Sequence, residues 1–131
     1  MASTTIEQAL DVTLRASTAW LATLTGGLYP YSAPDTPTLP YGFYNVISDP
    51  AEPDAFGNVD TGQARVQFDF VTATKGGKSI ALAARKIINH LGGSYDGIVI
   101  KRTDCTMVRD IELTGNSWQW QFDCRVEYVI P

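Results

Sequence analysis

Apolar residues recur along this chain with two different periods, and the alternation between them outlines the fold. Ile6, Leu10, Leu14, Ser17, Leu21 and Leu24 follow one another at steps of three and four, the spacing of one helical face. This predicts a first helix over residues 5–24. Thr4 and Glu7 fit a capping box at its start, and Gly26-Gly27 supply its stop. A strand is expected over 41–47. From 63 to 73 the period is two: Val66, Phe68 and Phe70 share one face, and Arg65, Gln67 and Asp69 the other. Ile80, Ala84, Ile87 and Leu91 then form the stripe of a second helix, ended by Gly92-Gly93.

The remainder alternates again. Residues 97–113 read as two short strands or one bent strand, with the break near Thr103-Asp104. Thr114-Gly115-Asn116-Ser117 has the composition of a hairpin turn. Trp118, Trp120, Phe122, Cys124, Val126, Tyr128 and Ile130 then alternate with Gln119, Gln121, Asp123, Arg125 and Glu127. At about 3.4 Å per residue this last strand would span roughly 44 Å, so it must bend or reach beyond its own subunit. Helix, strands, helix, strands, with hairpin connections, predict an α+β fold. Its antiparallel β-sheet carries two helices packed on one face and a long C-terminal β-hairpin. One domain covers 1–131.

Two segments follow neither period. Residues 28–48 read LYPYSAPDTPTLPYGFYNVIS, in which Pro30, Pro34, Pro37 and Pro40 fix the backbone at short intervals. This is a stiff spacer leading into an aromatic strand, suited to setting the angle between helix and sheet. Residues 49–62, DPAEPDAFGNVDTG, form an exposed loop carrying Asp49, Glu52, Asp54 and Asp60. At such a length it belongs among loops that carry function or move.

Composition adds limits. The 131 residues are 44% hydrophobic and 18% charged, ordinary for a globular chain, and the net charge of −4 argues against a dedicated nucleic-acid binder. The distribution says more than the total. No Lys or Arg lies between Arg15 and Arg65, whereas seven basic residues from Lys75 to Arg109 face only Asp96 and Asp104. Two solvated surfaces of unlike sign fit this distribution, and so do complementary faces in a head-to-tail assembly. The first ten residues have neither the basic start nor the apolar run of an export signal, so Cys105 and Cys124 are expected as reduced thiols, with Cys124 in the core.

No residue pattern amounts to catalytic machinery, and the expectation is a non-enzyme without cofactor or metal. Lys75-Gly76-Gly77-Lys78-Ser79 sits between a strand and a helix like a phosphate-binding loop, but Thr72 stands where that motif needs its first glycine. His90, in the last turn of the second helix, has no second histidine or cysteine cluster beside it. Asp110 and Glu112 share a strand face, with Arg102 and Arg109 near enough in sequence to neutralise them. Trp118 and Trp120 lack the basic neighbours of a base-stacking platform, and read instead as core or subunit contact.

The order of these motifs resembles the tail-completion, or tail terminator, proteins of long-tailed bacteriophages and prophages. The matching residues are the helix ending at Gly26-Gly27, Leu28-Tyr29-Pro30, Ala33-Pro34, and Leu39-Pro40-Tyr41 leading to Tyr44. Arg65-Val66-Gln67-Phe68-Asp69 and the alanine-rich helix closing at Leu91-Gly92-Gly93 follow. Leu28 stands where the family would place a basic residue. The resemblance implies a homohexameric ring that caps the head-proximal end of the tail tube and docks to the head. It would lie in the virion tail or neck after assembly in the host cytoplasm. Its partners would be copies of itself, the tail tube protein and a head-neck connector protein. DNA would pass through the channel without specific binding, and no membrane would be involved. In that frame Asp49, Glu52, Asp54 and Asp60 face the channel or a partner ring, and Pro37, Pro40, Trp118, Trp120 and Tyr128 are candidates for subunit contact. A head-completion connector of the same neck, or a small-molecule binding domain with an aromatic pocket, are the competing readings.

Overall fold

The structure, a computed structural model, describes residues 6–31, 38–48, 51–52, 61–95, 97–112 and 117–129. Its elements in chain order are α1 (Ile6–Ala16), α2 (Thr18–Leu21), β1 (Leu28–Pro30), β2 (Tyr41–Ser48), β3 (Ala51–Glu52), β4 (Thr61–Thr72), α3 (Lys78–Ile88), β5 (Gly93–Tyr95), β6 (Ile98–Cys105), β7 (Arg109–Glu112) and β8 (Trp118–Val129). The eight strands form one sheet in the order β1-β2-β4-β8-β6-β5. The short β3 also pairs with β4, and β7 with β8. All strand pairs are antiparallel except β1 with β2. The fold is α+β, with the helices on the sheet face that carries Phe68, Phe70 and Phe122.

The two long strands make the centre. β4 and β8 pair along all of Thr61–Thr72 and Trp118–Val129, with Phe68 opposite Phe122 and Phe70 opposite Trp120. On the outer edge of β8, β6 covers residues 124–129 and β7 covers 118–121. The length of β8 is thus used within its own chain, flanked on both sides. This answers the expectation that it must bend or leave the subunit. The predicted break between the two preceding strands falls at 106–108, just beyond Thr103-Asp104, and the 113–116 turn lies outside the described residues.

The first helix is two pieces, not one. Ser17, with ψ at 77°, interrupts the helical run, and α2 restarts at Thr18. Ser and Thr hydrogen-bond locally and are weak helix interiors. The break changes the phase, so Trp20, rather than Leu21, turns inward. Its ring meets Phe70 edge-on at 5.9 Å, and its indole N–H donates to the Ile80 carbonyl at 3.0 Å, tying α2 to α3. Ile6, Leu10, Leu14 and Leu24 are buried as their spacing predicts. The capping box involves Thr4 and the Glu7 side chain, outside what the structure describes. Gly26 is not a helix stop. A side chain there would overlap the Thr38 carbonyl, and its N–H donates to the Pro40 carbonyl at 2.7 Å.

In α3 the buried stripe is Ala81, Ala84 and Ile88, while Ile80, Ile87 and Leu91 pack at its margin. Small residues let the helix lie close on the sheet. The helix ends at Asn89-His90, ahead of the glycines. His90 takes φ 65°, and its N–H donates to the Thr103 carbonyl at 2.8 Å. Asn89 Oδ1 accepts from the Cys105 N–H at 3.0 Å. Docking onto β6 therefore ends the helix before Gly92-Gly93, where β5 begins.

The proline-rich segment is regular at its start. Leu28, Tyr29 and Pro30 form edge strand β1, parallel to β2, an allowed place for proline because an edge strand can spare an N–H. Leu28 is buried among the core residues, and its carbonyl accepts from Arg15 Nη2 at 2.7 Å. A basic side chain at that position would have to enter the core.

Candidate interaction face

The helix-facing side of the sheet is closed by aromatic packing. Phe68 stacks on Phe122 at 5.4 Å, Phe70 on Phe122 at 6.2 Å, and Tyr44 leans on Phe68 at 5.6 Å. The opposite side, where the alternation places the polar residues of both strands, holds two buried carboxylates. Alternation puts Asp69 on that side, yet it is fully buried. Its Oδ1 accepts from Gln119 Nε2 at 2.6 Å and Gln121 Nε2 at 2.8 Å, and its Oδ2 from Gln67 Nε2 at 2.9 Å. A buried carboxylate needs several donors to offset lost hydration, and three glutamine amides supply them. Gln121 is fixed at both ends, because its Oε1 accepts from Arg109 Nη2 at 2.6 Å.

Asp123, one alternation further along β8, is also buried. Its Oδ2 accepts from Arg65 Nη2 at 2.6 Å, while Arg109 Nη2 stands 3.6 Å from Oδ1. Oδ1 itself is buried without a hydrogen-bond partner. Around Asp123 lies a depression of about 420 Å³ lined by Arg65, Asp104, Cys105, Thr106, Asp123 and Arg125. Arg65 and Arg125 face each other across β4 and β8, and Asp104 faces Arg125 across β6. Arg102 pairs with Asp104 at 2.7 Å. Two arginines and two aspartates balance, so the depression suits polar side chains of mixed charge better than a phosphate. Arg102 thus pairs with Asp104, and Arg109 serves Gln121 and Asp123; the Glu112 side chain lies outside what the structure describes.

The residues singled out from the sequence scatter. Pro37, Asp49, Asp54 and Asp60 lie outside the described residues. Glu52 belongs to β3, opposite Thr61. Pro40 follows a cis peptide bond and anchors Gly26. Trp118 and Trp120 stack at 6.2 Å, with Lys75 Nζ 5.4 Å from the Trp118 ring centroid. Trp120 is 2% exposed and donates from Nε1 to Thr72 Oγ1 at 3.1 Å. Tyr128 is buried as well. Trp120 and Tyr128 therefore spend their surface inside the subunit; Trp118 and Pro40 keep part of theirs. Lys75–Gly77 forms a single 3₁₀ turn, and Gly77 is buried where a side chain would strike Thr72, a packing reason for the glycine. The His90 side chain is exposed, beyond the helix, with Nδ1 4.0 Å from Asp104 Oδ1. Among the described residues, no group of three His, Cys, Asp or Glu side chains is placed to hold a metal ion.

Sequence reasoning missed the Asp69 network and a cysteine pair. The signal for the first was Gln119-X-Gln121 on one strand and Gln67-X-Asp69 on another, visible only once β4 and β8 are known to be neighbours. The second is Cys105 opposite Cys124, with their sulfurs 3.0 Å apart. Burial, then the neighbouring Cys105 thiol, pushes the Cys124 thiol far above the ordinary range.

No protein-family model matches the chain, and no curated protein matches it in sequence. Among solved structures it is similar to a chain from the virion of a native gene transfer agent particle. The TM-score is 0.71 at 12% identity, covering 95% of this chain and 94% of that one. The two share a fold over nearly their whole lengths.

Proposed function

We propose that the chain is a structural protein of a phage-like virion, and that it acts as a tail-completion subunit. In this role copies assemble into a homohexameric ring on the head-proximal end of the tail tube and join it to the head. The observation that carries the reading is the end-to-end likeness to a chain of a gene transfer agent virion, a particle of phage type. The motif order of the sequence supplies the finer assignment to the tail terminus. The face built from Arg65, Asp104, Asp123 and Arg125 supports it, since mixed charge on an open sheet face suits contacts between protein subunits.

The acidic residues Asp49, Glu52, Asp54 and Asp60 are assigned to the channel or to a partner ring, where negative charge lets DNA slide instead of adhering. Replacing all four with Asn or Gln is expected to lower infectious yield while leaving the subunit folded. Cryo-electron microscopy of tails and heads tests the placement. Density for the chain at the tube's head-proximal tip fits the tail-completion role. Density on heads that lack tails would assign it to the connector instead.

A further inference from the structure

We propose that Cys105 and Cys124 form a reversible thiol–disulfide pair, a modification site that locks the end of β6, and the 106–108 break after it, onto the central strand. The pairing pattern places them for this. Thr106 N–H donates to the Asp123 carbonyl at 2.8 Å and the Asp123 N–H returns to Thr106 Oγ1 at 2.9 Å, which places Thr106 and Asp123 in a hydrogen-bonded row. Cys105 and Cys124, one row back, are then a pair without ladder hydrogen bonds. Consistent with this, the Cys105 N–H turns away to Asn89 Oδ1. Opposed residues in such rows have their Cα atoms roughly 4.5 Å apart, inside the range a disulfide bridges. The sulfurs are already 3.0 Å apart, and these are the chain's two cysteines.

Access differs between them in a useful way. Cys124 is fully buried, whereas Cys105 is half-buried and borders the depression lined by Arg65 and Arg125. Arg85 also holds this corner, donating from Nη2 to the Cys105 carbonyl at 3.2 Å and from Nε to the Thr106 carbonyl at 2.7 Å. Cys105 is thus the thiol that meets an external oxidant, and Cys124 the one that resolves the adduct.

The oxidant is a small-molecule disulfide such as glutathione disulfide. The Cys105 sulfur attacks one glutathione sulfur, its S–S bond breaks, and one glutathione leaves carrying the proton from Cys105. The Cys124 sulfur then attacks the Cys105 sulfur and expels the second glutathione, which takes the proton from Cys124. Two protein thiols are oxidised and one small disulfide is reduced to two thiols. The bridge closes a loop over residues 106–123, which carries β7 and the wall of the depression at Thr106. The chain would fold reduced inside a cell and acquire the lock on meeting an oxidising medium. The chemistry does not depend on the assembly role proposed above.

The test is intact mass spectrometry of the folded chain before and after exposure to glutathione disulfide, with peptide mapping and thermal melting. The expected product lacks the mass of two hydrogen atoms, carries no glutathione, and joins the Cys105 and Cys124 peptides. It melts higher by roughly 5–10 °C, the scale for closing a loop of this size. Cys105→Ser, at the less buried position, should fold and give no such product. Two alkylatable thiols persisting in excess oxidant, a stable glutathione adduct on Cys105, or a disulfide-linked dimer would each overturn the proposal. A bridged product that melts no higher than the reduced chain would overturn the locking role.

Discussion

The two faces of the central strand pair obey the same alternation and are stabilised in opposite ways. On the helix side, Phe68, Phe70, Phe122 and Trp120 are buried by aromatic stacking, which needs no partner of a particular polarity. On the other side, Asp69 and Asp123 are just as inaccessible, and each depends on named partners: three glutamine donors for one, and for the other the Arg65 donor with the Arg109 charge 3.6 Å away. An apolar core tolerates loss of shape gradually. A buried polar network fails when one member goes, because the remaining groups are left without partners. The contrast also separates roles. The aromatic face closes the core of the subunit, and on the polar face the hydrogen bonds to Asp69 and Asp123 hold Gln67, Gln119, Gln121 and Arg65 in place.

Breaking the aromatic side should produce the largest effect. Phe122→Ala removes the ring that touches both Phe68 and Phe70, and should lower unfolding stability by about 3–5 kcal/mol in a urea titration. Asp69→Asn should cost about 2 kcal/mol, since one acceptor oxygen becomes a donor aimed at a glutamine amide. Replacing Asp69, Gln119 and Gln121 together with Leu should recover part of that loss, which no repair of a single glutamine would do. If Asp69→Asn proved neutral, the polar side would be ordinary surface and the contrast would fail.

A smaller effect concerns pH. Burial raises the Cys124 thiol, so the folded chain keeps its proton where the unfolded chain, with an ordinary thiol near 8.5, loses it. The unfolded state then binds fewer protons, and stability falls as pH rises above about 8.5, by up to about 1.4 kcal/mol per unit. Under reducing conditions, urea titrations from neutral to mildly alkaline pH should show this slope in the wild type and a shallower one in Cys124→Ala. Equal slopes would show that the thiol ionises freely in the fold.

Much of this was legible from spacing. The strand over β4, the alternation of β8 and the inward residues Ile6, Leu10 and Leu14 follow from period alone, because burial enforces it. What was not legible depended on neighbours far away in sequence. The break at Ser17 and the end of α3 at His90 are set by docking onto the sheet. Glycines read as helix stops serve instead, at Gly26, a close crossing by Thr38. β8, expected to bend or to reach beyond its own subunit, is central in the sheet because β6 and β7 share its outer edge, at 124–129 and 118–121. The Asp69 network and the cysteine pair need the register of three strands, which no local pattern contains. The prolines and tyrosines read from sequence as a stiff spacer, while the face with a definite charge pattern emerged only from the folded sheet.

The assembly role is tested most directly by native mass spectrometry of the purified chain, alone and mixed with its cognate tail tubes, followed by imaging of the tubes. The account predicts a homohexamer, formed free or on the tube, seated at one end of each tube. A chain that stays monomeric at tens of micromolar concentration and leaves both tube ends bare would contradict it.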